Sequence, residues 1–340
     1  MLPAGEIVLI FVLSLLMLTD LIGNTLVVIV VLRSRSLRTP MNFLLVNLAI
    51  ADMMVAIFMS PRHIFLPAFT HPEGYTGDIV CKLLTGGNLM WVGGAASSFC
   101  LVAVAIERYY AILYPHLDKG RVTRSRLKVI ILVCWLYAFV VDIPPFLVIF
   151  YNHDRRFCTE YWPNISLARA YTIMMFNLDF ALPVVLMGAL YSRVVYRLWF
   201  RQNNDTSHAQ LAVARSRKKV TMMVLIVTVI FGLCWMPVLT LYMLSYHLPN
   251  DFEYASTIHN AAVVFICINS SINPFIYTFK MGGFGRELKK LLRLNKHHGL
   301  RIKVQGFTGD SHILSTTKVT PLEVRTPTCV DLQSVSDADH

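Results

Sequence analysis

Charge is what this 340-residue chain has little of: Asp, Glu, Lys and Arg make up 15% of it, 55% is hydrophobic, and mean hydropathy is +0.55. A soluble domain carries about a quarter of its residues as charges, so the scarcity excludes an ordinary water-soluble enzyme and places the chain in a bilayer. Internal repeats are missing, and with them the related halves that transporters usually show; a seven-helix transporter stays only a remote alternative. The histidines lack metal-ligand spacing and the intramembrane acids are scattered over different segments, which leaves no enzyme site to name. Acids are outnumbered, 20 against 31 basic residues. That excess gathers on one membrane face, which points to anionic lipid rather than nucleic acid as its partner. No basic stretch precedes the first apolar run, which therefore reads as a signal anchor rather than a cleaved leader.

What is present is apolar length. Seven runs, at about 6–32, 41–69, 80–112, 127–150, 168–199, 219–245 and 255–279, are each long enough to cross a hydrocarbon core of about 30 Å as a helix. The loops after segments 1, 3 and 5, with their flanks and the stretch up to Lys296, hold 22 of the 31 Lys and Arg. Basic loops stay in the cytoplasm, so the N-terminus is expected outside and the C-terminus inside a plasma-membrane, multi-pass protein. After segment 7, Phe284, Leu288, Leu291 and Leu292 recur at helical spacing opposite basic residues, the pattern of an amphipathic eighth helix on the inner leaflet. The expected fold is an all-α seven-transmembrane bundle over residues 1–295, with that helix at about 283–294 and a disordered tail over 296–340.

Polar residues inside these runs are costly and mark function. Segment 1 holds Asp20 and Asn24, segment 2 Asp52 and Pro61, segment 4 Trp135 and Asp142, segment 5 Asp179, Pro183 and Tyr191. Segment 3 is rich in glycine, at Gly86, Gly87, Gly93 and Gly94, and closes on Glu107 and Arg108; close approach of neighbouring helices and local flexibility both account for such glycines. Of seven cysteines only Cys81 and Cys158 fall on the oxidising side, so they are expected to form a disulfide. Asn164-Ile165-Ser166 is a glycosylation sequon on the same side, whereas the sequon at Asn204 is on the wrong one.

Taken in order, GN in segment 1, NLAIAD in segment 2, ERY closing segment 3, Trp135, Pro183 and Tyr191, CWMP in segment 6 and NPFIY in segment 7 resemble the rhodopsin-like (class A) G-protein-coupled receptors over about residues 8–294. The resemblance implies a receptor that promotes nucleotide exchange on a heterotrimeric G protein and has no chemistry of its own. It implies that Asp52, Ser97, Asn269, Ser270 and Asn273 match a buried sodium and water site; a packed polar network without an ion is the other reading, and Gly93 stands where many members place an asparagine. Trp235 matches the family's toggle residue, with Phe231 one turn below and Pro237 bending the helix. Arg108, held by Glu107, matches the G-protein contact, and Tyr191 and Tyr277 a pair that meets through water in the active state. The acid that many members place at the start of segment 6 is replaced by Arg215, Arg217, Lys218 and Lys219 around Ser216, so noticeable basal activity is expected. The 27 residues from Cys81 to Arg108 exceed the family spacing, to be absorbed either by a longer segment 3 or by a bulge near Gly86-Gly87.

The resemblance also narrows the ligand. Met90 stands where amine receptors carry an aspartate and Cys267 where opsins carry a lysine, so a monoamine and a photopigment are disfavoured. Pro61 with ERY and CWMP resembles the peptide receptors of the cholecystokinin and neuropeptide Y type. Glu73, Asp78, Asp154, Glu160, Asp251 and Glu253 outweigh Arg155 and Arg156 on the outer side, a field that attracts a basic peptide; a small amine or lipid ligand is the alternative. The pocket is expected to use Asp179, Met90, Trp91, Trp235, Tyr242, His259 and Asp142. Asp179 is the favoured contact for a ligand cation, the alternative being an acid hydrogen-bonded between helices. Ser315, Thr316, Thr317, Thr326, Thr328, Ser334 and Ser336 in the tail serve either arrestin binding after phosphorylation or simple polar disorder.

Overall fold

The fold comes from a computed structural model and is described for residues 4–114, 122–154, 157–200, 208–250 and 257–305, with 67, 200, 208–216, 257 and 294–305 as backbone only. The chain divides into units 1–293 and 294–340, and the bundle belongs to the first. Its elements are α1 (Ala4–Arg33), α2 (Pro40–Ser60), α3 (Gly74–Val80), α4 (Asn88–Leu113), α5 (Arg124–Val141), α6 (Ile143–Val148), β1 (Ile149–Asn152), β2 (Phe157–Glu160), α7 (Ile165–Met175), α8 (Leu182–Phe200), α9 (His208–His247), α10 (Thr257–Lys280) and α11 (Gly282–Gln305).

Among the described residues six stretches are long and apolar enough to cross a membrane: Ala4–Arg33, Pro40–Phe65, Gly74–Leu113, Ile165–Trp199, Arg217–His247 and Ile258–Lys280. The fourth of the seven expected segments is shorter. Its helix α5 has 18 residues and opens on Arg124, Arg126 and Lys128, and the chain turns at Asp142 before the prolines that start α6. Local chemistry sets the helix starts. Pro40 occupies the first turn of α2, where its missing N–H costs nothing, and Thr39 accepts a hydrogen bond from Asn42 N at 3.2 Å; Thr123 caps α5 in the same way.

Proline breaks the helical period where the sequence placed it. Pro61 opens a wide π-type turn over Pro61–Phe65 beyond α2, and a second such stretch, Phe176–Ala181, precedes Pro183. The long spacing from Cys81 to Arg108 is absorbed by a third, Cys81–Thr85, followed by a break at Gly86-Gly87. Gly87 has φ +84°, a conformation that glycine alone adopts cheaply. Of the two alternatives for that spacing, the break near the glycines is the one the chain takes.

Helix α4 runs through the middle, packed on α2, α5, α8 and α9, while α1 packs on α2 and α10. Large apolar side chains stay exposed on the perimeter, among them Phe11, Val140 and Val185, as a surface that meets lipid requires. Glycine lets helices touch at three points. A Cβ on Gly23 would lie 2.8 Å from Pro274 Cγ, one on Gly93 3.0 Å from the Ala51 carbonyl oxygen, and one on Gly94 2.1 Å from the ring of Trp235. Substitution by alanine should therefore lower thermal stability most at Gly94, by about 1–3 kcal/mol as overpacking does. The loss should be smaller at Gly93, and absent at Gly188, where nothing lies within 4 Å; unfolding midpoints in detergent check the order. Helix α11 extends to Gln305, past the expected end near residue 294, and buries Phe284 with Leu288 and Leu291 partly covered.

Candidate functional site

At one end of the bundle β1 and β2 pair antiparallel, Ile149 with Glu160 and Tyr151 with Cys158. The Cys81–Cys158 disulfide joins this hairpin to the stretch before α4. His71 stacks on Tyr151, with ring centroids 4.5 Å apart, and its Nε2 lies 2.8 Å from Thr85 Oγ1. His71, Cys81 and Cys158 converge, but both sulfurs are committed to the disulfide and offer a metal no thiolate.

Side chains alternate along a strand, so Glu160 shares the inward face of Cys158. Three neutral donors meet its carboxylate: Tyr246 Oη at 2.6 Å, Trp162 Nε1 at 2.8 Å and Tyr242 Oη at 3.0 Å. Tyr242 also stacks on Trp91, at 5.9 Å, and Trp91 leans on Trp235 at 6.0 Å. Phe231 follows at 5.9 Å. An aromatic column thus descends from a carboxylate at the mouth to the middle of α9, and Gly94 supplies the space for Trp235. In the sequence Glu160 is one acid among several in the outer loops, and its place two residues after Cys158 is the signal that sets it apart.

The remaining expected pocket residues fall into other groups. Met90 is buried beside the column. His259 is buried within electrostatic range of Arg62 and His63. Asp179 and Asp142 come together, each buried and close enough to interact. The Asp179 carboxylate, expected to turn toward the pocket or to be hydrogen-bonded between helices, accepts a hydrogen bond from Tyr137 Oη of α5 at 3.1 Å, while Ser98 Oγ donates to its backbone carbonyl at 2.8 Å. The wide turn at Phe176–Ala181 changes the facing of residues before Pro183 relative to a regular helix. Asn164 is exposed and caps α7, its Oδ1 accepting from Ser166 N at 2.8 Å. Arg155, Arg156, Asn204, Asp251, Glu253 and the tail serines and threonines lie outside the described residues.

In the middle layer Asp52 is fully buried, accepting from Asn273 Nδ2 at 2.7 Å and Ser97 Oγ at 3.3 Å. Asn24 Nδ2 donates to Asp20 Oδ1 at 2.6 Å and to the Ser270 carbonyl at 3.2 Å, joining α1 to α10. Trp135 Nε1 donates to Asn47 Oδ1 at 3.0 Å, which ties α5 to α2.

At the opposite end Glu107 and Arg108 form an ion pair, with side chains 14% and 11% exposed. They border a cavity of about 690 Å³ lined also by Thr39, Asn42, Arg217 and Met281. Glu107 is the ion-pair partner of Arg108 among the described residues; Arg217 across the cavity carries the same charge, and Lys218 sits over the Trp199 ring at 3.9 Å. Tyr191 and Tyr277 are buried and no hydrogen bond joins their hydroxyls. Residues 23–277 match the model of the 7 transmembrane receptor (rhodopsin family). The chain belongs to that family.

This receptor is 29% identical to a QRFP-like peptide receptor of Branchiostoma floridae over 96% of its own length and 86% of the relative's. It is 30% identical to neuropeptide FF receptor 2 of Rattus norvegicus, covering 83% and 73%, and 32% identical to the thyrotropin-releasing hormone receptor of Gallus gallus, covering 80% and 75%. As a G-protein-coupled receptor of the rhodopsin family it is a multi-pass membrane protein and not an enzyme.

Proposed function

We propose that this receptor is activated by a basic extracellular peptide that enters at the disulfide end and promotes nucleotide exchange on a heterotrimeric G protein docked at the Arg108 end, in the plasma membrane. The observation that carries the reading is Glu160, a carboxylate at the mouth held by three uncharged donors. Neutral partners position the charge without cancelling it, and a guanidinium or ammonium supplied by a peptide would do so. The names of the relatives support a peptide in place of an amine or lipid.

The ligand can drive the change only through a difference in affinity between two states. Trp235, wedged against Gly94 on the proline-bent α9, is the element with two packings, and the closed Glu107–Arg108 pair with unjoined Tyr191 and Tyr277 fits the resting one. Asp52, Ser97, Asn269, Ser270 and Asn273 present the oxygen chemistry a sodium ion takes and would hold it as an allosteric ligand; Gly93, against the Ala51 carbonyl, supplies no side-chain oxygen. A groove lined by Leu15, Leu18, Phe275, Phe279 and Leu288 fits membrane lipid, and α11 would lie on the inner leaflet. Arrestin is the further partner if the tail is phosphorylated, and Asn164 the glycan site.

Asp179 keeps a second role in this scheme. If the ligand cation reaches past the column to the Asp142–Asp179 pair, Asp179→Asn lowers peptide potency at least tenfold, a loss of about 1.4 kcal/mol; unchanged potency in a reporter assay would assign Asp179 to helix packing through Tyr137. A screen of amidated basic peptides with a promiscuous G-protein reporter tests the peptide reading itself.

A further inference from the structure

The polar layer between α1, α2 and α10 contains two acids where one would suffice to anchor an ion. Asp20 is 1% exposed and Asp52 0%, they lie within electrostatic range of each other, and no lysine, arginine or histidine pairs with either among the described residues. Of the oxygens left over in this layer one, Ser270 Oγ, is a hydroxyl that can donate, and the others are acceptors. Asp20 Oδ2, Asn24 Oδ1, Asn269 Oδ1 and Asn273 Oδ1 are buried without a hydrogen-bond partner. The amide assignments of Asn24 and Asn273 are fixed, because their nitrogens already face carboxylate or carbonyl oxygens that can only accept. A buried layer with two carboxylates and surplus carbonyl oxygens lacks positive charge, and the Ser270 hydroxyl, which neighbours Asp52, leaves Asp20 Oδ2 and Asn24 Oδ1 without a donor.

We infer that Asp20, with Asn24 Oδ1 beside it, forms a second monovalent-cation subsite on α1, separate from the oxygens around Asp52. Sodium is the cation this chemistry takes: hard oxygen ligands, one formal charge per carboxylate, and a membrane interior in which each charge needs its own compensation. The inference extends the proposed sodium site but rests on neither the peptide nor the G protein, so its test uses neither.

The experiment follows the thermal unfolding midpoint of the purified full-length receptor in lipid nanodiscs as sodium chloride replaces choline chloride at constant ionic strength. Sodium that binds the folded state raises the midpoint. The half-maximal sodium concentration is expected to rise at least about tenfold in Asp20→Asn, with part of the response kept in Asp52→Asn and none in the double variant. Asp20→Ser serves as the second variant if the asparagine form is not recovered. A purely structural Asp20 would lower the midpoint yet leave the sodium increment at its wild-type value; that result overturns the inference. A wild-type protein without a sodium response, an Asp52→Asn variant with none left, or potassium protecting as well as sodium overturns it equally.

Discussion

Replacing Glu107 by glutamine is expected to raise ligand-free nucleotide exchange about tenfold. The pair it breaks is neither fully buried nor freely solvated, with side chains 14% and 11% exposed. Breaking a buried ion pair costs about 3–5 kcal/mol and an exposed one contributes under about 1 kcal/mol, so an intermediate loss of about 1.4 kcal/mol from the resting state is reasonable and corresponds to a tenfold population shift. The effect should be large in this receptor because the facing end of α9 offers Arg217 in place of an acid that could take over. For the same reason the unmodified receptor should already signal above background. Nucleotide exchange in membranes without peptide measures both, and equal rates for Glu107→Gln and wild type would remove Glu107 as the restraint.

The second large effect belongs to the mouth. Glu160→Gln should weaken a basic peptide agonist by about ten- to a hundredfold, since a hydrogen bond to a charged group is worth about 1.5–3 kcal/mol. Tyr246→Phe removes one positioning donor, at 2.6 Å, and should cost less than the charge itself. Receptor number at the cell surface should be unchanged in both, because Glu160 is only partly buried. Competition binding against the identified agonist separates the two losses; equal losses would mean that Glu160 orders Trp162, Tyr242 and Tyr246 and does not meet the ligand.

The bundle was legible because apolar length is a local property, and the seven runs needed no knowledge of one another. The fourth was the least helical in outline, its span divided at Asp142 ahead of two prolines. Asp52 meets Ser97 and Asn273 through hydrogen bonds at 3.3 Å and 2.7 Å. Two parts of the site were not legible. Glu160 meets tyrosines more than 80 residues further along the chain, a pairing that no spacing encodes. Asp179 was given its facing by helical periodicity, and the wide turn at Phe176–Ala181 breaks that period just where the argument used it. Asp20 was visible as an acid one turn before Asn24, but the surplus of oxygens around it depends on α2 and α10 arriving from elsewhere.

The most direct test reconstitutes the purified receptor with a heterotrimeric G protein in nanodiscs and measures nucleotide exchange as amidated basic neuropeptides are added one at a time. A saturable acceleration by one of them, moved to about ten- to a hundredfold higher peptide concentration in Glu160→Gln and lost in a variant of Arg108, is the expected result. Exchange that no peptide accelerates, or solute flux through receptor-containing vesicles that persists without any G protein, would contradict it.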